Sequence, residues 1–164
     1  MLEELGLCRG FARVDLAVVN GRLHGYEIKS DRDSLRRLPG QVEMFSKVFD
    51  RLTLVVGERH QASACRKIPR WWGILRVSSA NGGPVFKVVR RPADNPKRDP
   101  RALVELLWAG DALALLEARG VARGVRGRPR HFLWERLVQE LELAEIAAAV
   151  RKQLKARRAR PTPR

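Results

Sequence analysis

An Asn-Gly pair at positions 20 and 21 separates two runs of alternating character, and it restricts the fold more than any other feature. Asn-Gly supplies the left-handed backbone that tight hairpins need. Before it, Val14, Leu16 and Val18 alternate with Asp15 and Ala17; after it, Tyr26 and Ile28 alternate with Glu27 and Lys29. A period of two is the signature of a strand with one buried face. Residues 12–30 are therefore expected to form a β-hairpin. Its register decides which side chains meet, because a slip of one residue moves every side chain to the other face. A two-residue turn would set Asp15 against Tyr26. A three-residue loop, Asn20-Gly21-Arg22, sets Asp15 against Glu27 and Ala17 against Gly25, with Gly21 left-handed. The second arrangement is expected, since it gathers Val14, Leu16, Val18, Tyr26 and Ile28 on an apolar face and Asp15, Glu27 and Lys29 on the other.

Two adjacent carboxylates repel one another and attract a hard cation. Mg²⁺ binds through one or two carboxylates and keeps several waters. Such an ion polarises a phosphate and lowers the pKa of bound water. A lysine two residues after Glu27 points the same way on a strand, where its ammonium can orient water or stabilise transition-state charge. Asp15 and Glu27, with the Ile28 backbone carbonyl, are thus candidate ligands for Mg²⁺ or Mn²⁺, and Lys29 the candidate catalytic lysine. The plain alternative is a surface hairpin with cross-strand ion pairs that contribute little.

Around the hairpin, residues 2–7 are expected to form a first strand. Asp31 or Asp33 can cap a helix over 33–49, whose stripe is Leu35, Leu38, Val42, Phe45 and Phe49 and which Pro39-Gly40 should kink. Arg51–Gly57 is short, apolar and β-branched, the pattern of a strand covered on both faces. A short helix over 59–67, strands over 73–77 and 85–90, and a turn at 81–84 complete an α/β core over residues 1–90. A proline-rich connector over 91–100 follows. Helices are expected over 100–108, 111–119 and 130–157, the last broken near 141–143, and a disordered tail over 159–164. Trp71-Trp72 and His24 are expected to be structural, and His60 to lie on a surface loop. Cys8 and Cys65 lack the spacing of a zinc or disulfide framework.

The net charge is +15, with 45% apolar residues, and the isoelectric point is near 11.3. Five arginines and no acid fall in 119–130, and seven lysines or arginines and no acid in 151–164. This balance points to a polyanionic partner, DNA above all. Arg123, Arg126, Arg128 and Arg130 fall at a glycine-rich loop before a helix, where Leu113, Leu116, Leu133 and Leu137 can pack the flanking helices together. Helix N-terminal amides attract phosphate as well. The arrangement is similar to the SAP-type helix–loop–helix DNA-binding module; an oligomerisation arm with a charged linker is the other reading. The start has no signal-peptide pattern, and no apolar run reaches the ~20 residues of a membrane span. A cytoplasmic protein is expected, at the nucleoid where it holds DNA.

Asp15…Glu27-Ile28-Lys29 on adjacent strands, then a helix carrying Gln41, then the strand Arg51–Gly57, resembles the core of the PD-(D/E)XK nuclease superfamily. The run from Arg13 to Asp31, with Phe49-Asp50-Arg51 and Pro69-Arg70-Trp71-Trp72-Gly73, is similar to a family of small, largely uncharacterised bacterial proteins within it. The resemblance implies a restriction-endonuclease-like fold: a mixed sheet with flanking helices, followed here by a small all-helical region over 101–158. It implies a Mg²⁺-dependent nuclease acting on DNA, with Asp15 and Glu27 as metal ligands, Lys29 catalytic and Gln41 supporting them. The position where helicase-associated members carry Tyr is Phe45, and the motif's Pro is Val14. The helix that usually opens the core does not precede the hairpin, so the expectation is that either the start is truncated or a homodimer or partner protein completes the core. A non-cleaving DNA-binding protein with a degenerate site is the alternative, and a helical subunit that binds an acidic protein is a third.

Overall fold

The computed structural model describes residues 1–80 and 82–158, apart from the side chains of Arg9 and Arg158; Asn81 of the expected 81–84 turn and the expected 159–164 tail lie outside them. Six strands form one sheet in chain order: β1 Leu2–Leu7, β2 Ala12–Asn20, β3 Arg22–Lys29, β4 Arg51–Gly57, β5 Gly73–Ala80 and β6 Gly83–Arg90. The β1–β2, β2–β3 and β5–β6 pairs are antiparallel, while β3–β4 and β4–β5 are parallel. Parallel neighbours need a crossover, supplied by α1 Leu38–Ser46 and α2 Gln61–Lys67. Four helices follow: α3 Pro100–Val104, α4 Ala109–Ala118, α5 Arg130–Glu140 and α6 Leu143–Arg158. The molecule is a mixed α/β structure with a six-stranded mixed sheet. None of these helices is long and apolar enough to cross a membrane.

The hairpin has the register of the three-residue loop. Asn20 pairs with Arg22, Ala17 with Gly25 and Leu16 with Tyr26, and Gly21 takes a left-handed φ of 68°. The expected choice of buried face is corrected on β3, while on β2 Val14 is buried and Asp15 exposed. On β3 the buried residues are Leu23, Gly25, Glu27 and Lys29, whereas Ile28 is half exposed. Packing decides this. A Cβ at Gly25 would stand 2.7 Å from Leu52 Cδ2 and 2.9 Å from Phe49 Cε1, so the glycine lets the segment after α1 press against the sheet on that side. Glu27 and Lys29 share that side and are covered with it.

The helix after the hairpin also differs from expectation. Asp33 accepts from the amide and hydroxyl of Ser30, both at 2.7 Å, and so closes a loop. Ser34 caps a 3-10 turn over Leu35–Arg37, accepting from the Arg36 amide. α1 begins only at Leu38, with Pro39 in its first turn, where the missing amide costs nothing. Trp72 is fully buried, stacks on Phe45 at 6.5 Å and donates its indole N–H to Ser46.

Residues 91–99 are tied to the sheet at several points. Ala93 donates to the Trp71 carbonyl, Asn95 to that of Asp50 and Asp99 to that of Lys47, while the Asn95 amide side chain donates to the Ser46 and Phe49 carbonyls. Asp50 binds the start of β3 to the helices: it accepts from the Leu23 amide at 2.6 Å, from Arg98, and from Arg151 of α6 at 3.3 Å. One hydrophobic cluster runs from Val14, Leu54 and Trp72 in the sheet region to Leu103, Leu137 and Leu154 in the helices.

Candidate active site

Glu27 stands near the end of β3, and α1 brings Gln41 over it. Glu27 Oε1 accepts from Lys29 Nζ and from Gln41 Nε2, both at 2.5 Å. Glu27 is 1% exposed and Lys29 7%. The other carboxylate oxygen, Glu27 Oε2, is buried without a partner, and so is Gln41 Oε1. Asp15 is exposed on the neighbouring strand, and its Oδ2 accepts from the Ile28 amide at 2.7 Å. The register thus brings Asp15, Glu27, Lys29 and Gln41 together, with the Ile28 carbonyl one residue beyond Glu27.

Burial pushes the Glu27 carboxyl above its ordinary range; hydrogen bonding and charge from Lys29 oppose this, and the Asp15 charge adds to it. Desolvation disfavours an ionised carboxylate and a neighbouring anion does the same. A cation between the two acids would relieve both effects. The donor set suits Mg²⁺ or Mn²⁺ in kind, because every atom it offers is an oxygen: two carboxylates, an amide oxygen without a partner and a backbone carbonyl. Among the described residues no group of three or more His, Cys, Asp or Glu side chains could hold a metal ion, so any ion here would depend on water for the rest of its shell.

Two clefts flank this cluster. One, of about 540 Å³, is lined by Gln41 together with Phe11, Arg13, Arg36, Arg37 and Met44. The other, of about 260 Å³, lies at the carboxyl ends of β3, β4 and β5, where Lys29 meets Ser30, Asp31, Gly57 and Ser78. Ligands of open α/β sheets bind beyond the carboxyl ends of the parallel strands. Gly57 is required there: a Cβ would fall 2.1 Å from Asp31 Oδ1, and that carboxylate accepts from the Arg59 amide at 3.0 Å.

The arginines singled out in the helical region stand elsewhere, Arg130 at the first position of α5 and the others on the loop between α4 and α5. Gly120, Gly124 and Gly127 take positive φ along it. Leu116, Leu133 and Leu137 are buried between the helices, and Leu113 packs partly against them. Arg123, Arg126, Arg128 and Arg130 are all exposed, and three of them have local partners. Arg126 donates to Glu117 at 2.9 Å, while Arg128 lies 4.5 Å over Phe132 and Arg130 5.1 Å over Trp134. In α6, Arg151 and Arg157 are held by Asp50 and Asp111. The 151–164 charge run is therefore in part internal wiring. His60 donates its Nε2–H to the Asp33 carbonyl at 2.7 Å, and His24 shares a hydrogen bond with Thr53 at 2.9 Å.

Phe11, Arg36 and Arg37 were not evident as site residues from the sequence. The one available signal was the adjacency of Arg36-Arg37 to the end of the Glu27–Lys29 motif, before the helix that carries Gln41.

Comparison with known proteins places the chain in a phage family. Protein cII of Enterobacteria phage P4 is 32% identical over 91 residues, which cover 56% of this chain and 34% of that protein. The chain thus aligns to about a third of the length of this relative. No solved structure matches it. The model of the family described as Bacteriophage P4 protein cII matches residues 1–161, nearly the whole chain, and the protein belongs to that family.

Proposed function

We propose that this protein is a metal-dependent nuclease that hydrolyses DNA phosphodiester bonds, with a PD-(D/E)XK arrangement on a restriction-endonuclease-like core. The observation that carries the reading is Glu27. It is a buried carboxylate with one oxygen shared by Lys29 and Gln41 and the other without a partner, beside Asp15 on the next strand. A buried anion left half satisfied is costly. A cation there would satisfy the free oxygen.

Asp15, Glu27 and the Ile28 carbonyl would hold Mg²⁺ or Mn²⁺. When bound, the ion supplies Lewis acidity toward a phosphate oxygen and a lowered pKa for water. Gln41 fixes the Glu27 carboxylate by donating to Oε1, which leaves Oε2 available as the oxygen that would hold the ion. Lys29 keeps its ammonium at the same carboxylate, where it can donate to the attacking water or to a phosphate oxygen as negative charge grows. The basic loop between α4 and α5 would grip DNA backbone without reading sequence.

The test is cleavage of single-stranded, duplex and branched DNA with Mg²⁺ or Mn²⁺. Wild type is expected to cut at least one substrate. Lys29→Ala and Asp15→Ala should each lose about 100-fold or more in rate while DNA binding survives. Intact DNA from wild type across all substrates and both metals would sink the nuclease reading. It would leave a non-cleaving DNA-binding protein, a role favoured by the tight Lys29–Glu27 pair, which gives the lysine a structural employment. That role would appear as strongly salt-dependent binding without cleavage.

A further inference from the structure

We propose that the cleft beside Gln41 is the seat of an unpaired DNA strand, with Phe11 stacking on a base and Arg36 and Arg37 holding the backbone phosphates. The proposal rests on the nuclease reading for its purpose and adds to it the class of substrate. Phe11 is 85% exposed, the most exposed of the large apolar side chains, and it lines the same cleft as Arg36, Arg37 and Gln41.

The backbone works to put it there. Phe11 follows a 3-10 turn over Cys8–Gly10, in which Gly10 has φ 91° and Cys8, a residue with a Cβ, has φ 49°. Left-handed backbone at a non-glycine residue is disfavoured and persists where the surroundings impose it. The turn lies directly between β1 and β2, so the strained turn and the bare ring stand at the mouth of the cleft together.

Charge chooses the ligand. Arg36 and Arg37 are exposed, and no carboxylate among the described residues pairs with either. Arg13, on the same cleft, is held by Glu4 at 2.8 Å, which leaves the adjacent pair as its uncommitted cations. Guanidinium groups without acid partners bind phosphate oxygens. An aromatic ring reaches the face of a base only where the base is unstacked, so ring and guanidinium together select a single strand over a duplex. Gln41 joins this cleft to the site, because the same side chain that lines it donates to Glu27 at 2.5 Å. A strand lying over Phe11 and the two arginines would lead its next phosphate toward Glu27 and Lys29.

Binding measured without metal tests this separately from cleavage. A fluorescein-labelled 20-nucleotide single strand, the same strand paired, and a single strand with abasic positions are titrated in EDTA by fluorescence anisotropy. Phe11→Ala is expected to weaken single-strand binding by about tenfold, to leave the duplex unchanged and to remove the preference for the base-bearing strand over the abasic one. Phe11→Trp should restore it. Arg36→Ala combined with Arg37→Ala should lower the salt dependence of single-strand binding by about one to two ions. Melting curves of the variants should match wild type, since all three side chains are exposed. Unchanged single-strand affinity in Phe11→Ala, or equal losses for single strand and duplex, would overturn the proposal. The nuclease reading fails on a different result, uncut DNA in the metal-dependent assay, so either can fall without the other.

Discussion

Two buried carboxylates attend the same strand, and they are satisfied very differently. Asp50 meets the start of β3. One of its oxygens takes the Leu23 amide and Arg151, the other takes Arg98. Glu27 lies near the other end of that strand. One of its oxygens takes two donors and the other takes none. Both acids are almost fully buried, at 6% and 1% exposure. The saturated one joins parts of the molecule that lie far apart in sequence. The unsaturated one sits between two clefts. Burying a charge without full compensation lowers stability, and the shortfall at Glu27 is what the proposed site rests on.

The largest effect should come from the saturated end. Asp50→Ala removes a carboxylate from beneath Arg98 and Arg151 and leaves the Leu23 amide unpaired. Breaking a buried ion cluster on one side costs about 3–5 kcal/mol, or a fall of roughly 10 °C in melting temperature for a chain of this size. Mg²⁺ should change the size of that fall little. A loss below about 1 kcal/mol in chemical denaturation would show that Asp50 is not the tie the geometry makes it, and the contrast between the two ends would collapse.

Lys29→Met breaks the other end. It takes from Glu27 its one cationic partner, at a cost of about 2–3 kcal/mol at neutral pH. The sign with pH follows from burial. The Glu27 carboxyl is already raised, first by burial and then by the Asp15 charge, and loss of Lys29 raises it further. A group whose folded pKa exceeds its unfolded value stabilises the fold fully below the unfolded pKa and loses that contribution as pH rises through the folded one. The deficit of the variant relative to wild type should therefore widen from pH 4 toward pH 8. A deficit that is flat across that range would mean that Glu27 and Lys29 are not coupled as an ion pair in solution.

These two ends were not equally legible in the sequence. The register of the hairpin was readable because it is local: Asn20-Gly21 marks the turn, and gathering the apolar residues on one face selects the three-residue loop over the two-residue one. That brought Asp15, Glu27 and Lys29 into one neighbourhood before any coordinates. Which face is buried was not readable, because Tyr26 and Ile28 are the more apolar pair on β3. The decision rests on Phe49 and Leu52 packing over Gly25, a contact made by residues more than twenty positions away. Asp50 was invisible for the same reason, since its partners Arg98 and Arg151 lie 48 and 101 residues along the chain. The arginines of the helical region drew attention as a run of like charge, yet Arg126 and Arg151 turn out to be paired within the fold, and pairing is set by the fold rather than by composition.

A cation should distinguish the two ends directly. If Mg²⁺ completes the shell around Glu27 and Asp15, it binds the folded chain and raises its melting temperature. At tenfold over the dissociation constant the gain is about 1.4 kcal/mol, or roughly 3–6 °C. Asp15→Asn should abolish that gain while leaving the metal-free melting temperature close to wild type, because Asp15 is exposed. A Mg²⁺-induced rise that survives Asp15→Asn would place the ion elsewhere.

The smallest effect belongs to a partly buried titratable group of β3, on the face opposite Glu27. His24 stacks on Tyr26 at 4.3 Å and shares its hydrogen bond with Thr53. Burial, and then the nearby charge of Arg51, lower its pKa to about 4. The fold thus holds the neutral ring, and its contribution is present above the ordinary histidine value and lost as pH falls from there toward 4. At pH 5 the loss should be about 1 kcal/mol once the partial exposure of the ring is allowed for. His24→Phe should flatten the acid limb of a stability–pH profile between pH 6.5 and 4. It should leave the neutral-to-alkaline divergence of Lys29→Met untouched, because the two groups occupy opposite faces and their contributions to stability are lost in opposite directions of pH. If His24→Phe altered that divergence instead, the faces of β3 would be electrostatically coupled, and the Glu27 cluster could not be treated as a site set apart from the rest of the strand.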